Sequence, residues 1–84
     1  MRDWEIIWDL DEEIDGNVAH IEEHGITKDE VVEVLKDPLS ESASRSSGRP
    51  IVFGLTSTGK SIAVVFELVD ANSVYPVTAY EVEF

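Results

Sequence analysis

Residues 49–68 read Arg49-Pro50-Ile51-Val52-Phe53-Gly54-Leu55-Thr56-Ser57-Thr58-Gly59-Lys60-Ser61-Ile62-Ala63-Val64-Val65-Phe66-Glu67-Leu68. Ile51, Phe53 and Leu55 alternate on one face with Val52 on the other, the period of a strand. Thr56 to Lys60 forms a turn in which Gly59 supplies the positive φ that such loops need. From Ser61 to Val69 the chain is apolar on both faces. Ile62, Val64, Phe66 and Leu68 fall on one side; Ala63, Val65 and Val69 fall on the other. A strand of that kind belongs in the middle of a sheet. The stretch therefore predicts an antiparallel hairpin whose second strand is central.

Working outward, Asp70-Ala71-Asn72-Ser73 reads as the next turn. Val74 to Phe84 reads as a last strand, with Pro76 placing it at an edge or a bulge because proline has no N–H to give the ladder. On the N-terminal side, Leu39 to Gly48 alternates serines with Glu41, Ala43 and Arg45, which predicts a polar edge strand or a half-ordered connection. Before it, Thr27-Lys28-Asp29-Glu30 has the spacing of a capping box and opens a helix. Val31, Val32, Val34 and Leu35 give that helix its apolar face, and Asp37-Pro38 ends it.

Asp11 to His24 reads as an earlier helix, with Ile14, Val18 and Ile21 in one apolar stripe. Glu12, Glu13 and Asp15 fall in its first turns, where the helix dipole favours acids. Gly16 weakens its interior by up to ~1 kcal/mol relative to Ala. His24-Gly25 closes it, the glycine being free to take the left-handed cap. Trp4 to Leu10 reads as a short strand at 4–8 or an extended lead-in, anchored by Trp4 and Trp8. The expected fold is α+β in a single domain, 1–84. Two N-terminal helices pack on one face of a three- to four-stranded antiparallel sheet.

Eighty-four residues bury a small core, about 60–65% of the surface of the unfolded chain. With no cysteine, neither a disulfide nor a thiolate metal site can staple it. The start of the chain is unlike a signal peptide, and no apolar run approaches the roughly 20 residues of a membrane span. A cytoplasmic location is the expectation.

The net charge is −12, from 18 acids and 6 bases. Residues 1–38 hold 13 of the acids and 3 of the bases, so the helical half carries the negative field. Such a surface disfavours DNA, RNA and anionic membranes, which need cationic contacts. It favours a basic protein partner, adaptation to high salt or plain solubility.

Few residues carry recognisable chemistry. His20 and His24 share a helix face, but the order His20-Ile21-Glu22-Glu23-His24 is not the His-Glu-x-x-His of a zinc protease, and no metal is expected. Gly54 and Gly59 match no phosphate-loop spacing, and no cofactor motif is present. Asp9 and Asn17 read as braces of the first helix start. Arg49 and Lys60 flank the same strand pair, where they either converge on one anion or serve as ordinary strand-edge and turn cations. Arg45 either extends that patch or lies in solvent. Tyr80 reads as packing, a stacking ring or a general acid. Tyr75, by alternation, falls on the opposite face as a structural residue.

Several segments in order resemble the BrnT toxins of the RelE-like superfamily. They are Trp8-Asp9, Asn17, His24-Gly25-Ile26-Thr27 and the run Glu30 to Pro38. Gly48-Arg49, Gly54-Leu55-Thr56, Gly59-Lys60, Val64-Val65-Phe66 and Val77-Thr78-Ala79 follow. The resemblance implies a small ribonuclease toxin of a type II toxin–antitoxin pair, neutralised by a cognate antitoxin. It assigns Arg49 and Lys60 to phosphate and leaves Tyr80 as the proton-transfer or stacking group. Arg45 and Glu81 are accessory binding positions. This chain carries Tyr80 and Glu81 where the family has an Arg-Lys pair, and no basic helix follows them up to Phe84. RNA cleavage requires cations at the scissile phosphate, so the expected activity is that of a weak or degenerate ribonuclease. The alternative is a non-catalytic acidic module that docks a basic protein.

Overall fold

A computed structural model describes residues 4–10, 12–43 and 48–83. The elements are β1 (Glu5–Ile6), α1 (Asn17–Glu23), α2 (Lys28–Lys36), β2 (Ser40–Ala43), β3 (Pro50–Leu55), β4 (Ser61–Asp70) and β5 (Ser73–Glu81). They form one five-stranded sheet in the order β1-β5-β4-β3-β2. β4 is central, as its two apolar faces require.

The α+β class holds, but the sheet is larger than expected and mixed. β2 is a true edge strand, pairing antiparallel with β3 from Ser40↔Phe53 to Ala43↔Pro50. The fifth strand is the tryptophan-flanked lead-in. It pairs parallel with β5, Glu5 opposite Ser73 and Ile6 opposite Val74. Two residues suffice because Trp4 and Trp8 pack on the core beside them.

α2 behaves as its sequence dictates. Thr27 accepts from the Glu30 N–H, and the Glu30 carboxylate accepts from the Thr27 N–H. Val31, Val34 and Leu35 are buried. α1 is shorter than its periodicity implies. Gly16 is the N-cap, so Glu12, Glu13 and Asp15 lie before the helix, and Ile14 is 89% exposed. The backbone of Gly16 is extended (φ −77°, ψ 163°), so the helix cannot run through it from residues 12–15. A Cβ there would sit 2.9 Å from Cβ of Asp9, which favours glycine at this position.

The core lies between the helices and one face of the sheet. Ile21, Val31, Val34 and Leu35 from the helices meet Val52, Ile62, Val64, Phe66, Val74 and Ala79. Gly54 lies under α2, where a Cβ would stand 3.1 and 3.2 Å from the two methyls of Val34. Gly54→Ala is therefore expected to overpack this contact by about 1–3 kcal/mol. In a double-mutant cycle with Val34→Ala, measured by chemical denaturation, the two losses should sum to more than the loss of the double variant.

A second cluster, Ile51, Ala63 and Val65 with Phe53, Val77, Tyr80 and Val82, occupies the opposite sheet face. No helical residue belongs to it among those described. In β5 the pairing skips Val77, since Thr78 faces Val65 and Pro76 faces Phe66. This bulge satisfies the proline expectation. It also resets the alternation, so Tyr75 and Tyr80 pair with Glu67 and Ala63 on one face rather than on opposite faces. No helix among the described residues is long and apolar enough to cross a membrane.

Candidate functional site

The two cations assigned to phosphate do not come together. Arg49 precedes β3 and pairs through Nε with the Glu67 carboxylate at 2.6 Å. Lys60 lies at the other end of the hairpin, just before β4. The six residues of β3 separate them by roughly 20 Å at about 3.4 Å per residue. They also serve different faces. Arg49 joins Glu67 on the face without helices, whereas Lys60 reaches the helices.

Lys60 is built into a structural knot. Its ammonium donates to the Gly25 carbonyl at 2.7 Å and to Oε1 of Glu30 at 3.4 Å. Glu30 is only 3% exposed. The Thr58 hydroxyl donates to its second oxygen at 2.6 Å. Burial pushes the Glu30 carboxyl up, but Thr58, the Thr27 N–H and Lys60 together hold it below its ordinary value. The same turn is tied to α2 again by Glu33, which accepts from the Ser57 N–H and hydroxyl. The cluster joins the end of α1, the start of α2 and the β3–β4 turn. Its positive charge is already matched.

Asp9, Asn17 and Tyr75 form a second network. Asn17 is 2% exposed. Its amide nitrogen donates to the carbonyls of Ile7 and Pro76, each at 3.0 Å, and its oxygen accepts from the Asp9 N–H at 2.9 Å. Asp9 accepts from the Asn17 N–H and from the Tyr75 hydroxyl. These two donors hold the Asp9 carboxyl below the usual range, Tyr75 contributing most. The bond to Asp9 in turn pushes Tyr75 up to about 12, aided by burial and by the charges of Asp9, Glu13 and Glu67.

Because the Tyr75 pKa is raised from 10.0 on folding, its contribution is complete below that pH and is lost as pH rises through about 12. Ultraviolet titration should show one tyrosine ionising near 12, absent in Tyr75→Phe. The wild type should lose more stability than that variant over this window. The brace assigned to Asp9 and Asn17 is real. The part played by Tyr75 was hidden, because nothing local to it in sequence marks a partner so distant along the chain.

Tyr80 is half-buried in the helix-free face and meets the His24 ring edge-on, with centroids 6.5 Å apart. His24, the C-cap of α1, lies 5.8 Å from the His20 ring. Glu81 is exposed on β5, opposite Ile62. Arg45 falls outside the described residues. No group of three or more His, Asp or Glu suited to a metal occurs among the described residues. A cavity of about 190 Å³ lies at the other end of the helix-bearing face, lined by Trp4, Glu41, Pro50, Val52, Phe66 and Leu68 among others. Its walls are mostly apolar, and among the described residues Glu41 is their one ionisable group. An acid–base pair cannot be drawn from that lining.

No family model, curated protein or solved structure matches this chain.

Proposed function

We propose that this chain is a BrnT-like partner in a type II toxin–antitoxin pair that acts by binding a basic protein rather than by cutting RNA. The pairing of its cations carries this reading. Arg49 and Lys60 stand at opposite ends of a hairpin, and each already faces a carboxylate. A phosphate there would have to displace Glu67 or Glu30 in the field of a −12 chain. Steered association with a basic protein uses that same field.

A weak ribonuclease remains the second reading. The contact of His24 with Tyr80 supports it, since imidazole and phenol are proton-transfer and base-stacking groups. Growth on induction and cleavage of total RNA separate the two. The binding reading expects neither growth arrest nor cleavage for the wild type, Arg49→Ala or Tyr80→Phe. Cleavage that disappears in Tyr80→Phe would establish the ribonuclease instead.

Arg49→Ala also bears on structure. The Arg49–Glu67 pair is 41% and 49% exposed, and pairs of this kind contribute about 0–1 kcal/mol. Loss of this pair by itself should shift urea unfolding by no more than that margin, and the urea midpoint of the variant separates a functional effect from misfolding.

A further inference from the structure

The connection between the lead-in and α1 is clamped at its base and carries apolar side chains into solvent. Asp9 and Asn17 close it, each backbone N–H donating to the other's side-chain oxygen at 2.9 Å. The Asn17 amide fastens this clamp to the carbonyls of Ile7 and Pro76. Beyond the clamp the chain turns twice. The Glu13 N–H donates to the Leu10 carbonyl at 3.0 Å, and the Gly16 N–H to the Glu13 carbonyl at 3.2 Å. Leu10 is 64% exposed and Ile14 89%, the most exposed large apolar residue among those described. The first turn holds Cα of Leu10 within about 7 Å of Glu13, so Ile14, one step of about 3.8 Å further on, stands within roughly 11 Å of Leu10. Glu12, Glu13 and Asp15 lie between and beside these two residues and are exposed. Among the described residues no cation pairs with any of the three.

Resting on the binding reading above, we infer that this loop is the contact point for the basic partner. Leu10 and Ile14 enter an apolar cleft of that protein, and Glu12, Glu13 and Asp15 meet Lys and Arg on its rim. The loop itself selects this occupant, because apolar anchors and carboxylates alternate along it. Anionic membranes and nucleic acid are repelled by three carboxylates beside the anchors. A second copy would set the same carboxylates like against like. A neutral apolar surface would desolvate them without giving them partners. A cleft with a basic rim answers both features, an apolar centre inside a charged border. The clamp contributes through entropy. A loop already held by the bonds of Asn17 and by two turn bonds loses little freedom on binding.

The probe is the protein encoded beside this chain, titrated calorimetrically against the full chain and its variants. Ile14→Ser and Leu10→Ser should each weaken binding by about tenfold, as loss of an apolar anchor does. The triple variant Glu12→Gln, Glu13→Gln, Asp15→Asn should slow association and flatten the fall of affinity with salt. Leu55→Ser, at a residue 58% exposed at the far end of β3, is the control and should bind as the wild type does. All these positions are exposed, and equal urea midpoints check that the variants fold. Amide shifts in NMR should centre on Leu10 and on Glu12 to Gly16.

A loss in Leu55→Ser equal to that in Ile14→Ser, shifts confined to the sheet, or a salt slope untouched by the triple variant would each overturn the assignment. So would sedimentation of the chain as a dimer that Ile14→Ser dissociates. If the basic partner binds but ignores both Leu10→Ser and Ile14→Ser, the loop is wrong and the binding reading stands. If no basic protein binds, the binding reading itself fails, and this inference with it.

Discussion

Asn17→Ala is expected to lower the unfolding free energy by about 3–5 kcal/mol, the largest loss from a single polar side chain in this protein. Asn17 uses both amide hydrogens and its oxygen on backbone groups of two other segments. Truncation leaves the carbonyls of Ile7 and Pro76 and the N–H of Asp9 without that partner. Each such orphaned group costs about 1–3 kcal/mol where water cannot replace the bond. The three bonds fix the lead-in against β5, and with it the short parallel strand β1. For a chain of this size, about 3 kcal/mol corresponds to a fall in Tm of more than about 12 °C. Thermal and urea unfolding would measure it. A loss below about 1 kcal/mol would mean that the tryptophans, the β1–β5 pairing and the bonds of Asp9 hold the lead-in without the Asn17 side chain.

The second large effect is expected at Glu30. Glu30→Ala removes the carboxylate from the Thr27 N–H, the Thr58 hydroxyl and Lys60 together. Loss of the capping bond alone costs about 1 kcal/mol. Breaking a buried charged knot adds to it, offset in part because Lys60 keeps the Gly25 carbonyl. A total of about 2–4 kcal/mol is expected in urea unfolding.

The pH dependence provides an internal check. The folded Glu30 carboxyl lies below its ordinary 4.5. Its stabilisation is therefore present above that value and is lost as pH falls through the lowered folded value. The wild type should lose this increment in acid, and Glu30→Gln should lack that part of the slope. Equal acid slopes in the two proteins would remove Glu30 from the account.

These two networks show where sequence is informative and where it is not. The hairpin, the capping box at Thr27 and Glu30, and the central position of β4 are local patterns, and all three are found as read. The exposed Ile14 was not legible. Its helical spacing is sound, but the extended backbone of Gly16, packed against Asp9, separates it from the helix. The parallel pairing of Glu5 and Ile6 with β5 joins the two ends of the chain, and no local period reports it.

The bulge at Val77 was visible as a proline, but its consequence for Tyr75 and Tyr80 depends on a register that only pairing reveals. The separation of Arg49 and Lys60 was latent in the sequence. A six-residue strand cannot bring its two ends to one anion. What sequence could not give is that both cations meet carboxylates, since Glu67 is opposite in register and Glu30 comes from α2.

The central claim is that this acidic chain acts by binding a basic protein. The direct measurement is the affinity of the purified chain for the protein encoded beside it, titrated across a series of salt concentrations. The expected result is a stoichiometric complex with a basic partner whose affinity falls as salt rises, because screening weakens the field of the −12 chain. No complex at low salt, or one indifferent to salt, would contradict it.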